Sequence, residues 1–486
     1  MMAAGPNGGT GSDIRGQVMP SGARTAELVG LPLFGVVFAM SVREYGGPGA
    51  FAWIAGALSL IAIAMSVPKL KRTHFIFIAI GILLTLTAIL TRADWAQGVG
   101  RAILGGSLVI GVFTALSALR SAAVGSQEIL ECGRFLARQP PGLRYAALTM
   151  GGHLFGLILL YGAISLLGSL ATESTASEPD PEIRYHRTRR MLVAIQRGFI
   201  STLTWSPMAF SMVISVALVP GASWGAAVLP CLISSAIMLV GGWALDTVFK
   251  PRLSHPPPPR AVEAGSWWLN LRPLLMLLGA VVGGTALLHF VTGVAVIGAV
   301  MSLIPVVALI WVWLQALGQH LSPQSHLGTR VKQYLLTEVP GYRGEIALLF
   351  MAAFIGSLGS FLLAPLVASH GVDLSAVPAL AVLIPLIWLI VLAGQIGMNP
   401  ILAVSLIIPL LPTPAAMGVS PSAVVAAITA GWALSGATSP FTASVLLLGA
   451  LGKVSPRRAG LVWNGPYILI VGAILSLWVT LLALWL

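Results

Sequence analysis

Apolar residues fill long runs of this chain, for example 75–91, 346–368 and 461–486, and short polar patches separate them. None of the runs alternates between apolar and polar at every second position, so the pattern predicts helices rather than strands. About 20 such residues cross the hydrocarbon of a bilayer as helix. In lipid, all backbone groups must be bonded internally, which leaves helices as the form for runs of this kind. The pattern predicts spans at 27–42, 50–67, 75–91, 102–119, 192–219, 224–246, 272–290, 293–314, 346–369, 422–451 and 461–485. Two further apolar stretches, 145–171 and 375–412, read differently.

Charge explains why. Basic residues cluster between apolar runs at Lys69/Lys71/Arg72, Arg187/Arg189/Arg190, Lys250/Arg252, Arg330/Lys332 and Lys453/Arg457/Arg458. That is the signature of cytoplasmic loops, and it places the N-terminus in the cytoplasm too. A full crossing at 145–171 would put Arg187, Arg189 and Arg190 outside. A re-entrant hairpin there, with its tip at Gly151-Gly152 and Gly156, removes the conflict. The stretch 375–412 is flanked by nearly uncharged loops and reads as a second hairpin entering from the opposite face.

Composition sharpens the class. Of 486 residues 57% are hydrophobic and 9% charged, with mean hydropathy +0.92; a soluble domain carries about 25% charged residues. The net charge of +12 lies in the loop clusters, so nucleic acid is not the expected partner. Cys132 and Cys231 form no metal-spaced cluster and read as packing residues. The sequence offers no nucleophile–base pair, phosphate loop or metal-ligand cluster, so no enzyme, no cofactor and no catalytic residue is expected.

The expected organisation is a disordered cytoplasmic tail at 1–25, a membrane half at 26–249, a Pro-rich cytoplasmic linker at 250–271 and a second membrane half at 272–486. The fold class is all-α and polytopic, with about 11–12 transmembrane helices in two inverted repeats. Each repeat has a hairpin (145–171; 375–412) and a broken helix (192–219; 422–451).

The breaks rest on a repeated motif. Thr204-Trp-Ser206-Pro207-Met-Ala-Phe-Ser211 and Ala437-Thr438-Ser439-Pro440-Phe-Thr442-Ala-Ser444 share Ser-Pro-x-x-x-Ser, with the prolines 233 residues apart (440 minus 207). Upstream, Gly152-His153 can be laid over Gly394-Gln395. Proline inside a helix removes a hydrogen bond and clashes with the preceding turn, whereas at the first helical position it is tolerated. Serine before it is a favoured N-cap. Each Ser-Pro therefore reads as the start of a new half-helix near the midplane. Free N–H groups there suit an anion, and released carbonyls suit a cation.

The stretch Gly397-Met-Asn399-Pro400 through Pro409 and Pro412, then Gly436-Ala-Thr-Ser-Pro440, resembles the C-terminal repeat of the TRAP transporter large membrane subunit (DctM-like). That family belongs to the ion transporter superfamily with the divalent-anion/sodium symporters. The resemblance implies a small organic anion between two broken helices, sodium coupling and elevator-type movement. Carried over by position, Thr204, Ser206, Pro207 and Ser211 line one half of the site. Asn399, Gly436, Thr438, Ser439, Pro440 and Thr442 line the other, with His153 and Gln395 near the hairpin tips.

No Asp or Glu lies between Arg187 and Asp246 or after Asp373. A proton-driven carrier usually places a carboxylate in its pathway, so a sodium site near Ser206, Asn399 and Ser439, built from carbonyl and hydroxyl oxygens, is expected instead. Arg197 reads as a snorkelling loop residue or an anion guide. Expected partners are the organic anion, the lipid bilayer, a second copy in a homodimer and a small membrane subunit; the expected location is a bacterial-type inner membrane. The alternatives are a TRAP-type large subunit served by a binding protein and a non-transporting membrane scaffold.

Overall fold

A computed structural model describes residues 28–70, 72–124, 126–250, 266–369, 377–398 and 400–485. The expected tail at 1–25, most of the Pro-rich linker and Asn399 lie outside them. The described residues are helical with short connections and no strand.

Four helices open the chain: α1 (Gly30–Glu44), α2 (Ala50–Ser66), α3 (Arg72–Thr91) and α4 (Trp95–Val124). After them comes α5 (Gln127–Ala137), a short amphipathic helix capped by the Ser126 hydroxyl, which accepts from the Ile129 amide. The hairpin α6 (Pro141–Leu159) and α7 (Gly162–Ala176) leads into α8 (Pro181–Thr202), the short α9 (Phe210–Leu218) and the long α10 (Trp224–Val248). The second half runs α11 (Trp267–Thr292), α12 (Val296–Gly318), α13 (Pro323–Gln333) and α14 (Arg343–Ser369). It then repeats the sequence of hairpin, broken helix and long helix: α15 (Ala379–Gln395), α16 (Pro400–Ile407), α17 (Pro421–Thr438), α18 (Ala443–Leu451) and α19 (Trp463–Trp485).

Among the described residues, nine helices are long and apolar enough to cross a membrane, fewer than the expected 11–12. The two expectations that drop out have simple causes. Helix α1 is only 15 residues long. The predicted span 192–219 is not one span but the buried end of α8, whose first turns are polar, followed by a break and nine residues of α9.

Helix starts follow the sequence closely. Asp180-Pro181 opens α8, with the Asp180 carboxylate accepting from the Glu182 and Ile183 amides and Pro181 in the first turn. Ser420-Pro421 opens α17 in the same way, its hydroxyl accepting from Ala423. Both pairs place an acceptor on orphan amides and a residue without an amide where none is needed.

The two units sit together at the centre. Helix α6 packs along α8, α15 packs along α17, and α8 and α9 both touch α17. Every residue of α17 from Ser422 to Thr438 is buried, as is every residue of α8 from Met191 to Thr202. The α6–α8 contact depends on two missing side chains. A Cβ at Gly152 would overlap the Ile195 carbonyl, and one at Gly198 would overlap the Thr149 carbonyl. Backbones meet there directly.

This corrects the expected hairpin tip. Gly151, Gly152 and Gly156 lie inside α6, and the chain turns instead at Leu160, whose φ is +50°. In the second hairpin the turn falls at Gly397, with φ +88°. Gly152 lies eight residues before its turn at Leu160 and Gly394 three before its turn at Gly397, so laying Gly152-His153 over Gly394-Gln395 aligned different parts of the two hairpins.

Candidate functional site

Both Ser-Pro motifs interrupt their helices. Helix α8 stops at Thr202 and α9 begins at Phe210; α17 stops at Thr438 and α18 begins at Ala443. Neither serine is an N-cap, contrary to expectation. Ala209 and Thr442 hold those positions, and neither side chain caps its helix. Each Ser-Pro opens a tight turn instead. The Ala209 amide donates to the Ser206 carbonyl at 3.0 Å, and the Thr442 amide donates to the Ser439 carbonyl at 3.2 Å. Proline fits the second position of such a turn and serine the first. Accordingly, the Ser206 hydroxyl accepts from the Met208 amide at 3.2 Å and the Ser439 hydroxyl from the Phe441 amide at 3.3 Å.

The trailing serines repeat as well. Ser211 Oγ donates to the Leu203 carbonyl, and Ser444 Oγ donates to the Gly436 carbonyl. In each copy the hydroxyl four residues after the proline satisfies the carbonyl four residues before it. A break in a helix orphans several carbonyls, and this motif carries its own donor for one of them.

The expected site residues divide into two groups. Gly436, Thr438, Ser439, Pro440 and Thr442 surround the second break, and Gln395 belongs with them: its amide donates to Thr438 Oγ1 at 3.1 Å. Ser439 Oγ donates to the Gly394 carbonyl at 2.7 Å, tying the break to the end of α15. Thr442 Oγ1 donates to the Ser439 carbonyl at 2.9 Å. Thr204, Ser206, Pro207 and Ser211 surround the first break, where Thr204 Oγ1 donates to the carbonyls of Ser201 and Cys231. His153 sits about two turns before the first hairpin's turn, not at it. Its Nδ1 is 2.7 Å from Ser201 Oγ, and its ring stacks against Trp205 at 5.9 Å between centroids. Asn399 lies outside the described residues.

The breaks lie side by side. The Gln196 amide donates to the Gly436 carbonyl at 3.5 Å. The position of a Cβ on Gly436 would be 3.5 Å from Leu203 Cδ1 and 3.6 Å from Ile200 Cγ2.

Residues the sequence did not nominate complete this centre. Asn464, fully buried on α19, donates from Nδ2 to Gln196 Oε1 at 2.8 Å and to the Ala437 carbonyl at 3.2 Å. Its Oδ1 accepts from Arg197 Nε at 3.1 Å. Arg197 is not snorkelling: it is 7% exposed. Its guanidinium lies 4.2 Å from the Tyr467 ring centroid, and it donates to Tyr145 Oη at 3.1 Å and to the Trp463 carbonyl at 3.4 Å. These partners are neutral. A buried cation costs several kcal/mol unless other groups satisfy it, and here an amide, a phenol, a carbonyl and an aromatic face share the task. A lone Asn in an otherwise apolar final span was the signal available in the sequence.

Two hairpins and two interrupted helices, joined through a buried polar clasp inside an apolar bundle, define a polytopic membrane protein of broken-helix type. The solved structures that match most of its length include two transporters. One is the Alcanivorax borkumensis YdaH transporter, described as having an unusual topology, with a TM-score of 0.59 and 18% identity over 85% of this chain and 98% of that one. The other is Neisseria gonorrhoeae MtrF, described as illuminating a class of antimetabolite efflux pumps, with a TM-score of 0.56 and 14% identity over 86% of this chain and 95% of that one. No protein-family model and no curated protein matches the chain. The chain is a multi-pass membrane protein with the fold of these two, which are transporters and not enzymes.

The resemblance to the TRAP large subunit and the divalent-anion/sodium symporters is overturned by this likeness to YdaH and MtrF. Spaced prolines and a Ser-Pro break suit an interrupted helix in any membrane protein, so they report local chemistry better than descent.

Proposed function

We propose that this protein is a secondary transporter that moves a small organic anion across the inner membrane, with the paired breaks as its substrate site. The observation that supports this most directly is the pairing itself. Two helices interrupted by the same Ser-Pro-x-x-x-Ser motif lie in contact at the core of the bundle. Counting the long helices between them as crossings gives the breaks opposed orientations, a recurring carrier design. The likeness to YdaH and MtrF supports transport as the activity. MtrF's class makes export of a small antimetabolite the first direction to assay.

Sodium is the coupling ion in this reading. The stretches that flank the breaks, 188–245 and 421–485, contain no carboxylate, while hydroxyl and carbonyl oxygens are abundant at Ser206, Ser439 and Thr442. The clasp of Gln196, Arg197 and Asn464 joins both broken helices to α19, so they would move as one body during an elevator-type cycle.

Proteoliposomes loaded with candidate anions test the proposal. Flux that depends on a sodium gradient and falls at least ten-fold in Ser439→Ala is expected. Flux driven equally by a pH gradient with sodium absent would defeat sodium coupling. No flux of any anion, from protein that stays folded in the vesicles, would defeat the transporter reading.

A further inference from the structure

We propose that a groove between α1, α12 and α13, remote from the breaks, holds one anionic phospholipid. Two adjoining cavities of about 560 and 210 Å³ share the side chains of Leu327, Val331 and Leu335. These three lie four residues apart, one stripe on a helical surface. Leu31 and Trp313 line the larger cavity, and Pro305 lines the smaller. Trp313 and Pro305 are eight residues apart on α12, about 12 Å along its axis. The pair of cavities is therefore a channel that follows a membrane helix, apolar along its walls and suited to an extended acyl chain.

Charge identifies the headgroup. Lys332 lines the wide end and Arg330 the narrower cavity. Helix α13 contains no Asp or Glu, and none of its residues is buried. Arg330 is already held in place, donating from Nη2 to the Ser121 carbonyl at 2.7 Å and from Nη1 to Gln333 at 3.2 Å. Lys332 is exposed and makes no hydrogen bond or ion pair among the described residues. A free ammonium at the wide end and a fixed guanidinium beside the adjoining narrower cavity match a phosphate carried on acyl chains. Basic pockets at the cytoplasmic ends of membrane helices take anionic lipid headgroups in this manner. A zwitterionic lipid such as phosphatidylcholine offers the same phosphate but brings a quaternary ammonium beside Lys332 and Arg330, which a glycerol headgroup does not.

Native mass spectrometry of the full chain tests the assignment, using phosphatidylglycerol and phosphatidylcholine with identical acyl chains. Phosphatidylglycerol is expected to remain bound at least ten-fold better. Lys332→Glu should bring the two lipids to parity while leaving the lipid-free melting temperature unchanged. Gly328 lines the wide cavity, and a Cβ there meets nothing within 4 Å. Gly328→Phe should therefore fill the mouth and abolish retention of both lipids. Equal retention of the two lipids by the unaltered protein, or an undiminished preference in Lys332→Glu, would overturn the proposal. So would displacement of the lipid by glycerol phosphate alone, which would make the channel irrelevant. An adduct seen only after deletion of residues 1–27 would assign the groove to the chain's own tail and overturn it as well.

Discussion

The two breaks carry the same motif and hold their hairpins differently. At the second break, Ser439 and Thr438 bond directly to Gly394 and Gln395, the last residues of α15 before its turn. At the first, the backbone contacts at Gly152 and Gly198 and the His153–Ser201 hydrogen bond fall upstream of the break, and the hairpin reaches the break itself through the His153 ring stacked on Trp205. The first gap is also longer, residues 203–209 against 439–442, and its Trp205 carbonyl is satisfied by the Trp224 indole of α10 at 2.9 Å. The second hairpin therefore shares hydrogen bonds with the break itself, so its movement must disturb the turn. Both hairpins also meet the helix before the break backbone to backbone, the first more closely: a Cβ on Gly198 would overlap the Thr149 carbonyl, whereas one on Gly431 would lie 2.7 Å from the Ile387 carbonyl oxygen.

The largest test of that difference lies at Gly198. Gly198→Val should cost about 3 kcal/mol or prevent folding, because backbone cannot give way as a side chain can. Gly394→Ala should cost only about 1 kcal/mol, since the atom it meets is the Ser435 hydroxyl, which can rotate. Melting midpoints and the yield of monodisperse protein in micelles read both. Equal costs would erase the distinction.

The clasp comes next. Asn464→Leu should lose about 2–3 kcal/mol, because Arg197, Gln196 and the Ala437 carbonyl all lose a partner in a dry interior. A loss under about 0.5 kcal/mol in the same melting assay would mean that water or repacking replaces the amide.

The turns are expected to be unequal. Ser439→Ala should cost about 1–2 kcal/mol and Ser206→Ala about 0.5, since Ser439 also donates to the hairpin. Reversed values would remove the asymmetry between the hairpins. The trailing serines are expected to match: Ser211→Ala and Ser444→Ala should each cost about 1 kcal/mol. A clear difference between them would show that the shared motif is not shared chemistry.

Much of this arrangement could be read from residues alone. Proline alone does not decide, since Pro230 and Pro305 sit inside the unbroken helices α10 and α12; it is proline with serine at both flanks, supplying local acceptors and donors, that made the interruptions legible. The caps at Asp180-Pro181 and Ser420-Pro421 follow the same logic. What the breaks do locally was misjudged, since Ser-Pro opens a turn as readily as it caps a helix, and only the position of Phe210 and Ala443 decides. The first hairpin's turn was misplaced because glycine serves both tight packing and bending. Arg197 was legible as a cation but not as a buried one, because its amide, phenol and ring partners come from α6 and α19. Tyr145 and Asn464 lie 52 and 267 residues away in sequence. Descent was the least legible feature, since the motif that suggested a family is one that suits helix breaking in any membrane protein.

Arg197 has an electrical consequence. It is a positive charge buried between α6, α8 and α19, and one elementary charge crossing 100 mV is worth about 2.3 kcal/mol. Any cycle that displaces the clasp along the membrane normal would move gating current even with no solute aboard. The resting voltage would then set which face the empty protein prefers.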